Sequence, residues 1–321
     1  MANSRNSSKT AVHYLRVHEE YAGQRIDNFL ISRLKKVPKA HIYRILRKGE
    51  VRVNKKRIEP SYHLAEGDEI RLPPLHLGET AKQVPPSEET KQLLANRILY
   101  EDKYILVINK PPGMAVHAGS QVRLGVVEIL RSMYPRLPHL ELAHRLDSDT
   151  SGCLILCKKR SILKEVHCLF REDKVRKLYW ALTKGHWQPA ELKVEAPLHR
   201  YLQQGGERLV KVHAEGKDAL TIFHPLEVFT EASLVAVTLH TGRTHQIRVH
   251  AQYQDHSIAG DQRYGDADFN EHMRCRYGLR RLFLHAKSIQ FVIPSIELSI
   301  EVTAPLDPEL EACLARLQTA N

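Results

Sequence analysis

The sequence predicts an α+β protein in two parts. A small basic α+β domain comes first, and a larger domain built on a mixed, largely antiparallel sheet follows. Three observations carry this. The 321-residue chain has a net charge of +11, and residues 1–75 hold 16 Lys and Arg against 8 Asp and Glu, so +8 of it lies in the first quarter. Helical 3-and-4 spacing gives way to short strand-like runs in both parts, with few helices among many strands in the second. Between the two, residues 76–95 lose periodicity and carry Pro85-Pro86 among polar residues, the composition of a linker. The expected divisions are a flexible tail and lead-in at 1–22, a small domain at 23–75, the linker at 76–95 and a large domain at 96–321.

Composition narrows the class. The apolar fraction is 42%, ordinary for a globular domain, and no apolar run is long enough to span a bilayer. The opening MANSRNSSKT is polar and lacks the apolar segment of a secretory signal. The five cysteines are odd in number and none has Cys-x-x-Cys spacing, which points to a reducing cytoplasm and away from a metal site. Nothing in the pattern calls for an oligomer, so a monomer is expected. Charge gathered in one quarter of a chain is the footprint of a polyanion-binding module.

The small domain reads as two helices and a hairpin. Ile26, Phe29, Leu30 and Leu34 share one helical face. Pro38 opens a second helix, where its missing N–H costs nothing. On that helix Ile42, Ile45 and Leu46 form a core stripe, and Arg44, Arg47 and Lys48 form a basic one. Val51 and Val53 alternate with Arg52 as on a half-buried strand, Asn54-Lys55-Lys56 is a basic turn, and Glu66-Gly67-Asp68 leads into the strand EIRL. Arg44, Arg47, Lys48, Arg52, Lys55 and Lys56 are thus candidates for neutralising several phosphates without reading bases. The combination RxDxFL, basic helix, VxVN and GD resembles the S4-like RNA-binding domain over residues 23–75.

In the large domain, Tyr104–Asn109 is an apolar run of strand length that must turn at Lys110-Pro111-Pro112-Gly113. Residues 125–133 read as a helix. The stretch LELAHRLDSDTSGCLILCKK then sets the polar loop HRLDSDTSG between two strand-like runs. A helix, SILKEVHCLFRE, and a strand, VRKLYWALTKG, follow. Neither GxGxxG nor GxxxxGK[ST] occurs, so no nucleotide cofactor is expected.

A turn accounts for Ser148 to Gly152 but not for His144, Arg145 and Asp147 at the end of a strand. A phosphotransferase of the haloacid-dehalogenase type would use DxDx[TV], which Asp147 and Asp149 match, but Ser151 stands where Thr or Val belongs. HRLDSDTSG closely resembles the nucleophile motif of the pseudouridine synthases that modify ribosomal RNA. Four further blocks agree: NKPPGMAVH at 109–117, LHTGRTHQIRVH at 239–250, GDQRYG at 260–265 and LFLHA at 282–286. The resemblance covers residues 95–305.

What the resemblance implies is concrete. The aspartate after His-Arg-Leu, Asp147 and not Asp149, is the catalytic residue. Breaking a C–N glycosidic bond and making a C–C bond at the same sugar carbon requires no redox step and no second substrate, so no cofactor is expected. Attack on the sugar, attack on the base and elimination all remain open. Arg248 aligns with the basic partner that keeps the aspartate ionised. Thr244 can cap a helix from 245 onward, with His245, Arg248 and Gln252 in one arc. Tyr179, after Lys177, is placed to stack on uracil or accept a proton. Arg145 is a candidate for holding a flipped nucleotide, Arg243 and His245 for phosphate or base contacts, and Leu284 for an apolar wall. The partner implied is large-subunit ribosomal RNA. A non-catalytic RNA-binding assembly factor is the competing class, which residues 1–75 alone would satisfy.

Overall fold

A computed structural model describes residues 12–34, 37–75, 85–118, 124–137, 139–188, 190–203 and 208–320. By contacts the chain divides into two compact units, Met1–Val84 and Pro85–Asn321.

In the first unit, β1 (His13–Arg16), α1 (Ile26–Arg33), α2 (Lys39–Arg47), β2 (Arg52–Val53), β3 (Lys56–Arg57) and β4 (Glu69–Leu72) follow in order. The strands form a sheet in the order β1-β4-β2-β3. Ile26, Phe29 and Leu30 of α1 and Ile42, Ile45 and Leu46 of α2 are buried with Val53, Ile70 and Leu72 in one core. Burial of each such side chain contributes about 1.5–3 kcal/mol. Arg44 and Arg47 lie on the opposite, exposed face of α2. Asn54 and Lys55 both take positive φ, 49° and 69°, as a two-residue hairpin turn of the I′ kind requires. Asn54 Nδ2 donates to Asp68 Oδ1 at 2.8 Å and pins that turn beside β4.

Two differences from the sequence reading arise here. The lead-in 13–16 is a strand, paired with β4 from His13↔Leu72 to Arg16↔Glu69. Its inward residues are too few to give a clear alternation. Part of the expected linker is α3 (Glu88–Ala95), because Ser87 Oγ accepts from Thr90 N–H as an N-cap and Leu94 is fully buried. Residues 76–84 of the linker and the tail 1–11 lie outside the described residues.

The second unit continues with β5 (Ile98–Glu101), β6 (Ile105–Lys110), α4 (Val126–Met133), β7 (Glu141–Leu142), β8 (Ser151–Cys157) and α5 (Arg160–Arg171). Then come β9 (Arg176–Lys184), β10 (Leu192–Glu195), β11 (Leu198–Leu202), β12 (Arg208–Val212), β13 (Leu220–Val228) and β14 (Ala232–Leu239). The chain ends with α6 (Gln246–Tyr253), α7 (Ala267–Tyr277), β15 (Leu284–Ile293), β16 (Leu298–Thr303) and α8 (Pro308–Ala320). The main sheet runs β10-β13-β14-β9-β15-β8-β6-β5, with β16 on β15 and β7 on β8. Its ladders are antiparallel except β8 with β15, where His285 lies opposite Ser151 and Ala286 opposite Gly152. Strands β6 and β8 are buried along their whole length, which is why they read as continuous apolar runs. This is the α+β, mainly antiparallel architecture that the sequence predicts.

Candidate active site

The loop between β7 and β8 carries Asp147 and is braced at three points. At its start, His144 Nε2 accepts from Ile155 N–H at 3.1 Å. Burial pushes that imidazole down to about 4, so it is a neutral acceptor. In its middle, the Ser148 carbonyl accepts from Lys110 Nζ at 2.7 Å. Lys110 is fully buried at the end of β6 and also donates to the carbonyls of Pro111 at 2.8 Å and Met114 at 2.9 Å. Burial pushes the amine down to about 7, yet three carbonyl acceptors use all three N–H of the ammonium form, which we therefore assign.

At the loop's exit, Arg281 Nη2 donates to Ser151 Oγ at 2.6 Å, and Ser151 Oγ lies 2.8 Å from His285 Nδ1. His285 Nε2 is 3.2 Å from the Ala304 carbonyl. A carbonyl only accepts, so Nε2 carries the proton and Ser151 donates to Nδ1. Next to it, Gly152 has φ +107°, and a Cβ there would stand 2.3 Å from the Ala286 carbonyl oxygen. Only glycine lets β8 approach β15 this closely.

The braced loop delivers Asp147 to a cavity of about 140 Å³. Tyr179 from β9, Leu284 from β15 and Arg248 from α6 line it with Asp147, and Arg145, Arg243 and His245 join them. Arg145 is exposed and also lines two larger hollows of about 540 and 510 Å³ that share Asp147 and Tyr179, respectively, with the cavity. Asp149 is exposed and stands outside the cavity lining, with its Oδ1 accepting from Ser148 Oγ.

Asp147 is 19% exposed, and Arg248 Nη1 lies 3.7 Å from its Oδ2. Arg248 is itself held by a residue the sequence reading did not single out. Its Nε and Nη2 each donate to Asp261 at 2.7 Å, a buried bidentate pair. Burial alone would raise the Asp261 carboxyl; the Arg248 bonds and charge outweigh it and keep the group below its ordinary range. Asp261 also accepts from the backbone N–H of Arg263 and Tyr264. Burial, and then the charge of Asp147, push the Tyr179 phenol well above its usual value, so it stays neutral.

His245 Nε2 is 3.9 Å from Asp147 Oδ2, and its Nδ1 is 2.8 Å from the Tyr264 hydroxyl. That hydroxyl accepts from Val210 N–H at 3.0 Å, so its own proton is available for His245 Nδ1. The resulting tautomer turns Nε2–H toward Asp147. Burial pushes the His245 imidazole down, against the pull of Asp147.

The TGRTHQIR turn is built differently from the sequence reading. Helix α6 begins at Gln246, and its N-cap is His245 in the left-handed region at φ 56°, with no side-chain cap. Thr244 does not cap it. The turn is tied by Gln246, whose Oε1 accepts from Arg243 N–H at 2.9 Å and Thr241 Oγ1 at 2.8 Å. Its Nε2 donates to the Leu220 carbonyl and Thr221 Oγ1. A side chain that closes the turn from inside the helix leaves the threonine unneeded. Gln252 is exposed and outside the cavity lining. The six basic candidates of the first unit, Arg44, Arg47, Lys48, Arg52, Lys55 and Lys56, are all exposed.

Known proteins resemble this chain over nearly its whole length. The profile of the RNA pseudouridylate synthases matches residues 104–253, and that of the S4 domain matches 24–70. Ribosomal large subunit pseudouridine synthase C of Escherichia coli (strain K12) is 49% identical over 97% of this chain and 98% of its own. The protein of the same name from Vibrio cholerae serotype O1 is 47% identical over 98% and 100%. Among solved structures, human RNA Pseudouridylate Synthase Domain Containing 4 superposes with a TM-score of 0.60 at 27% identity, covering 72% of this chain and 96% of that one. The chain belongs to the RNA pseudouridylate synthase family and is an isomerase of that type.

Proposed function

We propose that the chain converts uridine to pseudouridine in large-subunit ribosomal RNA, with Asp147 as the nucleophile and no cofactor. One observation carries the residue assignment: Asp147 faces the 140 Å³ cavity beside Arg248, whose other edge is locked to Asp261. A guanidinium fixed in this way faces the Asp147 carboxylate at the place where a sugar carbon must be attacked or its developing charge stabilised. The reaction balances internally. The N1–C1′ bond breaks, a C5–C1′ bond forms, C5 loses a proton and N1 gains one.

Tyr179 and Leu284 clasp the detached uracil between an aromatic face and an apolar wall, which keeps it in place while it turns. The Tyr179 hydroxyl lines the cavity and is the candidate to receive the C5 proton while passing on its own. Arg145, shared by the cavity and both larger hollows, holds the flipped nucleotide, while Arg243 and His245 meet its phosphate or base. Arg44, Arg47, Lys48, Arg52, Lys55 and Lys56 neutralise RNA backbone. The reading takes the chain as a monomer, and an RNA substrate of this kind supports a cytoplasmic location.

The test is direct. Wild-type protein is incubated with unmodified large-subunit ribosomal RNA, with chelator and without nucleotide, and pseudouridine is quantified in the digest. Product from the wild type and none from Asp147→Asn is expected. Product from Asp147→Asn would remove the nucleophile assignment, and dependence on an added metal or nucleotide would remove the cofactor-free reading.

A further inference from the structure

The outward face of the small sheet carries a pattern that the uridine cavity does not use. Register sets Tyr14 opposite Arg71, Arg71 opposite Arg52, and Arg52 opposite Arg57. Directly opposed residues of antiparallel strands project to the same side. One aromatic ring and three guanidinium groups therefore form a row across all four strands. The residues one step along, Leu15, Ile70 and Val53, form the opposite row and pack with the core. With strands about 4.8 Å apart, the outer row is about 14 Å long.

Three features point to a ligand for this row. Like charges directly opposite one another destabilise a sheet, so three arginines side by side cost stability until an anion lies along them. Two of the forks are oriented in advance: Arg71 Nη1 donates to the Glu50 carbonyl at 3.2 Å, and Arg57 Nη2 to the Arg47 carbonyl. Each bond uses one of a guanidinium's five N–H donors and leaves others for phosphate oxygens. Tyr14, at the end of the row, is 60% exposed and forms one wall of a hollow of about 540 Å³ that Arg52, Lys55, Glu69 and Arg71 also line. Glu69 is the acid of this face, and it lies opposite Arg16.

We propose that this sheet face is a platform for single-stranded RNA, with phosphates on Arg52, Arg57 and Arg71 and an unpaired base stacked on Tyr14. A duplex keeps its base faces covered, whereas a single strand offers them to an exposed ring. The platform extends the basic surface from the last turn of α2 onto the sheet and adds a base-sensing element to charge neutralisation. It goes beyond the uridine reading and stands without it.

The experiment uses the full chain and a fluorescein-labelled oligoadenylate, which offers no uridine to the catalytic cavity. Anisotropy is read over a salt series, with heparin as a polyanion that lacks bases. Tyr14→Ala should weaken oligoadenylate binding by at least about fivefold and leave heparin binding unchanged, while Tyr14→Phe retains both. Arg57→Gln with Arg71→Gln should weaken both ligands and flatten the log–log salt dependence for oligoadenylate by about 1.4. Wild-type oligoadenylate binding by Tyr14→Ala overturns the platform, as does an equal loss of heparin. Pseudouridine formation by the same wild-type preparation separates the two proposals: product with no effect at Tyr14 sinks the platform alone.

Discussion

At the residue scale, the surroundings of Asp147 are set by groups that lie far apart in sequence. Arg248 reaches it from α6 at 3.7 Å, but Arg248 is positioned by Asp261, and His245 is positioned by Tyr264. Tyr264 is buried and makes its contribution through the imidazole, so it is a positioning residue. Tyr264→Phe keeps the ring, over which the Arg248 guanidinium sits at 5.0 Å, and removes only the hydroxyl. Without the O–H bond to Nδ1, the neutral imidazole loses a stabilising partner and the His245 pKa rises. We expect kcat for pseudouridine formation to fall about tenfold with KM little changed, and the acid limb of the pH–rate profile to move to higher pH. Profiles of equal shape for the two proteins would show that the hydroxyl serves structure alone. The motif GDQRYG was visible in the sequence, but a pairing that spans thirteen residues to Arg248 and nineteen to His245 becomes visible only when α6 is folded against it.

At the element scale, the legibility of the sequence followed burial. Strands β6 and β8, helices α4 and α5, and the two-faced helix α2 could all be read, because a core imposes a period that composition displays. The strand at 13–16 and the helix at 88–95 could not. The first is a short edge strand whose partners lie more than fifty residues away, and the second is a mostly exposed helix that depends on one N-cap and one buried leucine. The roles of Gly152 and Gln246 were hidden for a related reason: each is defined by backbone from another element. Gly152 makes this testable. An added Cβ collides with the Ala286 carbonyl, and φ +107° is costly for any other residue, so Gly152→Ala must separate β8 from β15. The expected cost is about 2 kcal/mol or more, seen as a drop in Tm of about 4 °C or more, with a larger proportional loss of pseudouridine formation as the Asp147 loop shifts. A melting curve that matches the wild type would mean that the two strands are not held at this distance.

At the scale of the whole molecule, four separated blocks converge on one loop. NKPPG supplies Lys110 to its middle, LFLHA supplies His285 to its exit, TGRTHQIR supplies Arg248, and GDQRYG supplies the Asp261 that holds Arg248. The Ser151–His285 bond joins β8 to β15, and Lys110 ties the end of β6 to the loop, so the site's geometry and the unit's stability share these bonds. Acid should therefore undo both together. His285 is fully buried, and burial pushes it down to about 4 against an ordinary value near 6.5. Protonating it would give Nδ1 a hydrogen to place on Ser151 Oγ, which already accepts from Arg281. Between pH 4 and 6.5 the unfolded chain binds this proton and the folded chain does not. Stability therefore rises with pH across that window and is lost as pH falls through it, by at most about 1.4 kcal/mol per pH unit for one such group. His144, also pushed down to about 4, adds a loss in the same direction. Thermal melts from pH 7 to 4 should show Tm of the wild type falling steeply below about 6.5. His285→Gln, which cannot titrate, should start from a lower Tm and decline less over the same range. Parallel curves for the two proteins would mean that His285 takes up its proton in the fold as readily as in the unfolded chain, and the neutral relay from Arg281 through Ser151 would have to be abandoned.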